Sequence, residues 1–378
     1  MDHFRRVKRH NHNRILQDLV KKMVFVLGPR QSGKTWLCKQ IGAEIKPSTY
    51  LNYDSFTDRE IIVGQKWHPE TALLILDELH KMPDWKNFLK GIFDTKPARM
   101  QILVTGSARL EAFRHAGDSL AGRYFSHRLL PFSPAEVKGQ TEADLVRFLE
   151  RGGFPEPFLA DSDTDADRWR REYINDLIRI DVLDFEKIHD FKAIQTVFEL
   201  LRRRVGSPVS YASLAEDVGI SPNTVKKYIS VFEDLYIVFR VTPYSNNIAR
   251  SLLKEPKIYF FDNGLVIGDE GARFENLVAA SLLKHVYNQN DALGRDAELH
   301  YIRTKDGEEV DFCLTENQNP TLMIEAKFSD ASPAKSLVKM HHKTKIRAMQ
   351  LVRHLRNETI QGTIEIRRGD DFLSALSA

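Results

Sequence analysis

A glycine-rich stretch in the first tenth of the chain combines residue types that could hold a row of phosphates. The sequence from Gly28 to Thr35 reads GPRQSGKT and matches the pattern G-x-x-x-x-G-K-[ST]. Glycines at both ends let the backbone approach a ligand, so that N–H groups of the loop and of the following helix point at phosphate oxygens. Lys34 would place a cation at the outer phosphates, and the Thr35 hydroxyl would reach Mg²⁺. The residues predicted to bind a nucleotide here are Gly28, Pro29, Arg30, Gln31, Ser32, Gly33, Lys34 and Thr35.

The second part of this site is predicted where an apolar run ends in two acids. Residues 73–76 read LLIL, and Asp77 and Glu78 follow directly. A continuous apolar run is typical of a parallel strand that is covered on both faces, and ligands of such sheets bind at the carboxyl ends of the strands. Asp77 would hold Mg²⁺, and Glu78 would polarise the attacking water. The alternative is an Asp that caps a helix, with a solvated Glu beside it.

Polar residues further along the chain could act on the outermost phosphate. The run QILVT at 101–105 ends in Gly106-Ser107, so Thr105 or Ser107 would lie near the γ-phosphate as a polar sensor; the alternative is a turn residue that caps the next helix. Arg109 and Arg123 could neutralise charge on the transferring phosphoryl group, either within the chain or from a neighbouring subunit. A surface salt bridge is the alternative for each arginine.

All these residues require a parallel sheet that brings the ends of several strands to one edge. Apolar, β-forming runs predict four of its strands, at residues 23–27, 50–53, 73–76 and 101–105. A helix is predicted directly after the glycine-rich loop, at residues 34–41. We therefore predict an α/β nucleotide-binding domain over residues 1–140.

Four strings in this domain resemble the AAA-type ATPase domain, AAA_14-like, of a widespread prokaryotic family. They read GPRQSGKT, LLILDELHKMPDW, VTGSARL and SLAGR, and GGFPEP at residues 152–157 is also typical of that family. In the family a DUF4143 region, with a winged helix and a nuclease-like domain, follows the ATPase domain. The resemblance implies an AAA+-like fold, ATP as the nucleotide, and a homo-oligomer.

The middle of the chain is predicted to hold a helical connector and a DNA-binding module. Gly and Pro residues at 152–157 interrupt regular structure, and residues 164–185 have helical periodicity, so residues 141–190 are predicted to be a helical connector. Residues 191–262 are predicted to form a winged helix-turn-helix. Its helices are predicted at residues 193–204, 211–218 and 222–235, and its two strands at residues 236–242 and 257–261.

The third of these helices would offer polar side chains to a DNA groove. Ser221 is a good cap and Pro222 a good first helical residue. The side chains that would face the groove are those of Asn223, Thr224, Lys226 and Lys227. The alternative is an internal packing module that does not touch DNA.

The last part of the chain carries a second group of acids. A helix beginning near residue 271 contains Glu275, and a hairpin turn around Asp306-Gly307 leads into a strand that contains Asp311. A further strand contains Glu325 and Lys327, which share a face because they are two residues apart. The acids are hard oxygen ligands, so Asp311 and Glu325 are predicted to bind Mg²⁺. Lys327 would orient a water or stabilise developing charge.

The spacing D-x13-E-x-K resembles the PD-(D/E)xK nuclease core. The matching residues are Asp311, Glu325 and Lys327, with Glu275 at the position of the preceding helix acid; Val310 stands where the pattern has Pro. This resemblance implies a restriction-endonuclease-like α/β domain over residues 263–378 that cleaves phosphodiesters with a metal. The alternatives are a hairpin with solvated charges, or the same fold used only for binding.

Composition and charge set the broad class of the protein. With 42% hydrophobic and 28% charged residues, the 378-residue chain has ordinary globular composition. The net charge of +3 conceals a segment of net +5 at residues 1–22, one of net −7 at 141–190 and one of net +7 at 333–368. A segregated basic segment can follow a phosphate backbone, although each segment could also be a solvated face. No apolar run approaches the length of a membrane span or a secretory signal, so we expect a cytoplasmic protein that does not enter a membrane.

Three functions are consistent with this sequence. The preferred prediction is an ATPase that uses Mg²⁺ and acts on DNA through the winged helix and the nuclease-like domain. The second is a nucleotide-controlled switch whose C-terminal domain binds without cutting. The third is an assembly scaffold that forms ATP-dependent oligomers.

Overall fold

The computed structural model describes residues 7–106, 120–137, 139, 141–177, 190–245, 254–304 and 306–377. The chain divides into two compact units. One spans Lys8–Leu130, and the other holds Val7 and the described residues from Pro131 onward. Across the described ranges, no helix is both long enough and apolar enough to cross a membrane.

The first unit is built on a five-stranded sheet. Its strands are β1 (Met23–Leu27), β2 (Ser48–Asn52), β3 (Leu73–Asp77), β4 (Gln101–Gly106) and β5 (Tyr124–Arg128). All neighbouring strands run parallel, in the order β2-β3-β4-β1-β5. Every residue of β1 and of β3 is buried, as a strand covered on both faces requires.

Helices cover both faces of this sheet. They are α1 (Asn11–Leu19), α2 (Lys34–Glu44), α3 (Phe56–Val63) and α4 (Trp85–Thr95). Successive residues of a strand face opposite sides, so Val24 of β1 packs in a cluster with residues of α1 and α2, whereas Phe25 packs in a second cluster with residues of α3 and α4. The predicted α/β fold with a parallel sheet is confirmed.

Three helices open the second unit where the connector is predicted. They are α5 (Glu142–Glu150), α6 (Pro155–Leu159) and α7 (Asp163–Asp176). The Thr141 and Ser162 side chains cap α5 and α7. The predicted helix at 164–185 corresponds to α7 in its first part, and residues 178–189 lie outside the described residues.

A buried carboxylate holds the glycine turn between α5 and α6. Asp262 Oδ1 accepts the Gly153 N–H at 2.8 Å, and Asp262 is 1% exposed. Burial raises the pKa of Asp262 to about 6, although the Gly153 N–H and the Arg170 charge oppose this rise. Phe154, the next residue of the turn, packs on Trp169 of α7 at 5.3 Å between ring centroids. The turn therefore joins the connector helices to the segment that contains Asp262.

Three more helices and two strands follow, close to the bounds that the sequence predicts for a winged helix. They are α8 (Phe191–Arg202), α9 (Tyr211–Val218), α10 (Pro222–Asp234), β6 (Val238–Pro243) and β7 (Lys257–Phe260). Ser210 caps α9 and Ser221 caps α10 through side-chain oxygens, and Pro222 is the first residue of α10. One apolar cluster includes buried residues of α8, α9, α10, β6 and β7.

The two strands of this module continue into the sheet of the C-terminal region. That region comprises α11 (Glu270–Leu293), β8 (Ala297–Arg303), β9 (Glu309–Glu316), β10 (Asn319–Lys327), α12 (Lys335–Thr344), β11 (Arg347–Val352), β12 (Thr359–Gln361), β13 (Ile364–Arg368) and α13 (Gly369–Ser374). The eight strands lie in the order β12-β13-β11-β10-β9-β8-β6-β7. Because β6 pairs with β8, residues 191–262 and 263–378 share one sheet; their assignment as separate winged-helix and nuclease-like domains stays a prediction.

Candidate functional site

The glycine-rich loop joins β1 to α2 at the carboxyl edge of the first sheet. Gly28 has φ +148°, and a Cβ atom there would lie 2.2 Å from the Leu129 carbonyl oxygen. Any side chain at this position would therefore collide with the backbone that follows β5. Gly33 caps the amino terminus of α2, whose first residues are Lys34 and Thr35. The first N–H groups of a helix lack partners within the helix and suit an anion.

Lys34 lies beneath this loop and is 6% exposed. Its ammonium group donates to the carbonyl oxygens of Gly28, at 3.1 Å, and Pro29, at 2.6 Å. Burial lowers the pKa of Lys34 to about 8, and the nearby carboxylates of Glu78 and Asp77 limit this fall. The side chain is thus a buried cation bonded to neutral carbonyl groups.

Asp77 is the point where three strands and the loop meet. Its Oδ2 accepts from Thr35 Oγ1 at 2.8 Å and from Tyr50 Oη at 2.5 Å. Its other oxygen, Oδ1, accepts from the Thr105 hydroxyl and from the Glu78 N–H. The sheet order places β3 between β2 and β4, which is why side chains of both neighbours reach this carboxylate.

Tyr50 is a site residue that sequence reasoning missed. It lies on β2, and burial followed by the hydrogen bond to Asp77 raises the pKa of its phenol, so it stays a donor. The run around Tyr50 indicates a strand, but only the register of β2 against β3 shows that its hydroxyl faces Asp77.

Glu78 follows the strand in a left-handed conformation, with φ 56°. A non-glycine residue seldom adopts this conformation, and such residues are concentrated at functional sites. Its side chain is 24% exposed, and Oε2 lies 3.5 Å from Lys81 Nζ and 3.6 Å from His80 Nε2. Glu78 is therefore beside Asp77 and accessible to solvent, as the activation of a water would require.

Arg123 lies at the amino ends of the strands, on the side of the sheet opposite the glycine-rich loop. It precedes β5, and its carbonyl oxygen accepts the N–H of Met23, the first residue of β1, whereas the glycine-rich loop follows the last residue of β1. Its guanidinium group makes two hydrogen bonds to Asp94, at 2.9 and 3.1 Å. Arg123 thus makes the surface salt bridge that was its alternative, and its action on a phosphate within the same chain is not supported; a role at a neighbouring subunit stays a prediction. Ser107 and Arg109 lie outside the described residues.

The side chains at the start of α2 and the end of β3 match the donor set that a magnesium nucleotide requires. Ser32 is buried, and within the described structure its hydroxyl oxygen has no hydrogen-bond partner. The Lys34 cation lies next to it, and the Thr35 hydroxyl and the Asp77 carboxylate are in direct contact. Hydroxyl and carboxylate oxygens together with a lysine are the groups that hold Mg²⁺ and phosphates in nucleotide sites.

The second unit brings together the acids predicted for the nuclease-like site. Glu275 comes from α11, Asp311 from β9, and Glu325 and Lys327 from β10. Asp311 Oδ2 accepts the N–H of Ala326 at 3.1 Å, which sets Asp311 between the two β10 side chains. Lys327 Nζ lies 2.7 Å from Glu325 Oε1.

Lys257 joins this cluster, and sequence reasoning did not include it. Its Nζ atom lies 2.7 Å from Glu309, 3.1 Å from Asp311 and 3.4 Å from Glu275. The Tyr259 hydroxyl, two residues along β7, donates to Glu275 Oε1 at 2.7 Å. The alternation of Lys257 and Tyr259 on one face of β7 was the available signal, but it does not show which strand or helix that face meets.

The charges of this cluster depend on one another. Burial, and then the charge of Asp311, raises the pKa of Glu275 and that of Glu325 to about 7. Burial by itself would lower the pKa of Lys257. The carboxylates of Asp311, Glu275 and Glu309 outweigh burial and raise this pKa above its usual value, so the ammonium stays charged. Within the described residues, no group of three or more His, Cys, Asp or Glu side chains is arranged to hold a metal ion.

Comparisons with known proteins match three segments of the chain. Residues 20–138 match the model of a family described as AAA domain (AAA_14). Residues 142–269 match a domain of unknown function (DUF8612), which covers the predicted connector and winged helix. Residues 270–368 match a second domain of unknown function (DUF4143).

Relatives over most of the chain come from bacteria and archaea. An uncharacterized protein of Mycobacterium tuberculosis is 28% identical over 309 residues, which cover 79% of this chain and 68% of that protein. An uncharacterized protein of Methanocaldococcus jannaschii is 23% identical over 330 residues, which cover 78% and 72%. A solved structure of a Walker-type ATPase of Pyrococcus abyssi aligns with a TM-score of 0.43 and 13% identity, over 68% of this chain and 93% of that one. The two regions that the sequence resemblance names are therefore found, an AAA domain at residues 20–138 and a DUF4143 region at residues 270–368, whereas the predicted winged helix lies in the segment that matches DUF8612.

Proposed function

We propose that this protein binds ATP with Mg²⁺ at the glycine-rich loop and hydrolyses it. The observation that carries the proposal is the contact between Thr35 and Asp77, 2.8 Å apart although 42 residues separate them in sequence. It brings the two predicted Mg²⁺ ligands to one point, next to the buried cation of Lys34. The match of residues 20–138 to an AAA domain supports the same function.

Each side chain has a distinct role in this proposal. Lys34 would neutralise the outer phosphate oxygens, since its short bonds to loop carbonyls can be exchanged for bonds to a stronger anionic acceptor. Thr35 and Asp77 would hold the metal ion, which supplies charge neutralisation at the phosphates. Glu78 would accept the proton of the attacking water. Tyr50 would keep the Asp77 carboxylate in place, because it donates to the same oxygen as Thr35.

Two parts of the proposed reaction are assigned outside this pocket. Ser107, which follows Gly106 in sequence, is proposed to bind the γ-phosphate. Arg123 is proposed to neutralise charge at the phosphate of a neighbouring subunit, because it lies at the opposite edge of its own sheet. Hydrolysis would then require a homo-oligomer.

The test of this proposal is a phosphate-release assay with the Lys34→Ala protein. We expect the rate to fall at least about a hundredfold, the scale of losing a charged donor that stabilises a transition state. The matched control is Lys90→Ala, which removes an exposed lysine from α4 of the same unit and should leave the rate unchanged. Normal turnover by Lys34→Ala would show that the assignment is wrong.

We propose as a second function that the protein binds DNA through α10. The capped start of this helix presents Asn223, Lys226 and Lys227 on its exposed side, while Val225 is buried. The basic segment at residues 333–368 would add contacts to the phosphate backbone.

DNA binding is tested by measuring affinity for a duplex at several salt concentrations. Changing Lys226 and Lys227 together to Ala should weaken binding and make its salt dependence less steep, by nearly one unit of slope for each phosphate that these lysines neutralise. The control changes Lys86 and Lys90 of α4 to Ala. Equal affinity of the two double variants would refute a role for α10.

For the C-terminal region we propose that it binds nucleic acid or protein and does not cleave DNA. The protein would then be a nucleotide-controlled switch. The contacts of Lys257 with Asp311 and Glu275 favour this alternative over the nuclease. The test incubates supercoiled DNA with the protein, Mg²⁺ or Mn²⁺, with and without ATP. We expect intact DNA, and cleavage that disappears in Asp311→Ala and Glu325→Ala would instead establish the nuclease.

Light scattering with and without ATP distinguishes the assembly scaffold, for which ATP-dependent oligomers would form without DNA affinity.

A further inference from the structure

The centre of the C-terminal acidic cluster is occupied by a lysine from the neighbouring module. Lys257 lies on β7, and its side chain is 1% exposed. Its ammonium group lies within 3.4 Å of three carboxylates, those of Glu275, Glu309 and Asp311. A fully buried lysine is seldom found unless it is paired, and here the pairing is threefold.

Each carboxylate of the cluster has at least one oxygen engaged by a donor of the protein. Asp311 accepts from Lys257 on one oxygen and from the N–H of Ala326 on the other. Glu325 Oε1 is paired with Lys327, and its Oε2 is buried without a hydrogen-bond partner in the described structure. Asp77 accepts from hydroxyl groups and a backbone N–H, whereas Asp311 and Glu275 are paired with an ammonium group, so a magnesium ion would first have to displace a cation of the protein.

The cluster is also covered by the segment that joins α8 to α9. Gly206 in this segment has φ +75°, and a Cβ atom there would lie 2.7 Å from Glu275 Oε1. Pro208 forms a β-bridge with Lys257 itself. The backbone of the segment between α8 and α9 thus lies against Glu275 and Lys257. It occupies space that a metal ion and its water ligands would need.

We infer that the Lys257 ammonium takes the place of a divalent cation in this cluster. The residues present do not fit the metal that a PD-(D/E)xK core implies, because a cation of the fold already lies between the carboxylates that would bind it. The role of the cluster is then to fasten β7 to β9 and α11. Removing the positive charge while keeping the length of the side chain, as in Lys257→Met, opens the cluster to a divalent cation. This deepens the proposal that the C-terminal region binds without cleaving.

The test is the binding of Mn²⁺ to the full-length protein without nucleotide, by calorimetry or by the electron paramagnetic resonance of free Mn²⁺. The parent protein and Asp311→Asn should bind the same number of ions with the same affinity. Lys257→Met should bind one more ion than the double variant Lys257→Met/Asp311→Asn. Lys254→Met, an exposed lysine three residues away, is the matched control and should resemble the parent.

Two results would overturn the inference. One is a Mn²⁺ ion that the parent binds and that Asp311→Asn or Glu325→Gln does not, and the other is a folded Lys257→Met protein that gains no ion. Thermal unfolding would show whether Lys257→Met folds. If it does not, the numbers of Mn²⁺ ions bound by the parent, Asp311→Asn and Glu325→Gln decide whether the cluster of the parent holds a metal. The readout is metal binding, not DNA cleavage or ATP turnover, so this inference and the proposed function can fail separately.

Discussion

Replacing Asp262 by Asn should change how the stability of the second unit depends on pH. Asp262 is 1% exposed, and burial raises its pKa from 3.8 to about 6. The folded protein therefore holds a proton on this group more strongly than the unfolded chain does. Stability falls as pH rises through the interval between these two pKa values, because the unfolded chain gives up this proton while the folded protein still holds it. An Asn side chain stays neutral and lacks this dependence.

The size of the effect follows from the separation of the two pKa values. At about 1.4 kcal/mol for each pKa unit, the charged form of Asp262 costs about 3 kcal/mol at neutral pH. Between about pH 4.5 and about pH 7.5 the contribution changes by about 2 kcal/mol, because part of the titration lies below that range. The free energy of unfolding of Asp262→Asn minus that of the parent should therefore be about 2 kcal/mol larger, meaning a relatively more stable variant, at the higher pH.

The measurement is urea denaturation of the full-length protein at both pH values, followed by tryptophan fluorescence. Trp169 packs on Phe154, beside the Gly153 N–H that Asp262 accepts, so it reports on this region. The control is Asp161→Asn, an exposed acid in the same unit, for which the difference from the parent should not change with pH. A difference for Asp262→Asn that is equal at both pH values would refute the reasoning, whatever its absolute size.

Three further predictions concern the proposed nucleotide site. Glu78→Gln should slow phosphate release by about 10²–10⁴-fold, the usual contribution of a general base, while retaining ATP affinity in a binding assay; equal loss of both would contradict its role. Tyr50→Phe removes one of several donors to Asp77 and should reduce ATP turnover by less than about tenfold. Asp77→Asn should reduce it much more, when both rates are measured at saturating Mg²⁺. Gly28→Ala adds a Cβ atom 2.2 Å from the Leu129 carbonyl oxygen, so its melting temperature should fall, and an unchanged value would contradict the close packing.

The sequence predicts those parts of the protein that lie within one short segment. The glycine-rich loop is eight consecutive residues, and the flanking apolar strand and helix are local patterns. The α/β fold and the position of the loop therefore follow without knowledge of the tertiary structure. The pairing of Asp77 with Thr35 is expected for the same reason, because parallel strands bring their carboxyl ends to one edge. Ser221 and Pro222 likewise mark the start of α10 from residue type alone.

Only the tertiary structure decides which side chains meet across segments. Tyr50 reaches Asp77 because β2 is the neighbour of β3, and Arg123 lies away from the loop because β5 begins beside the start of β1. Lys257 enters the acidic cluster because β6 pairs with β8 and carries β7 into the same unit. The periodicity of a strand shows which residues share a face, whereas the order of strands depends on long-range packing that a single sequence pattern does not contain. The sequence thus determines the acids of the C-terminal cluster, and the fold determines the cation that they hold.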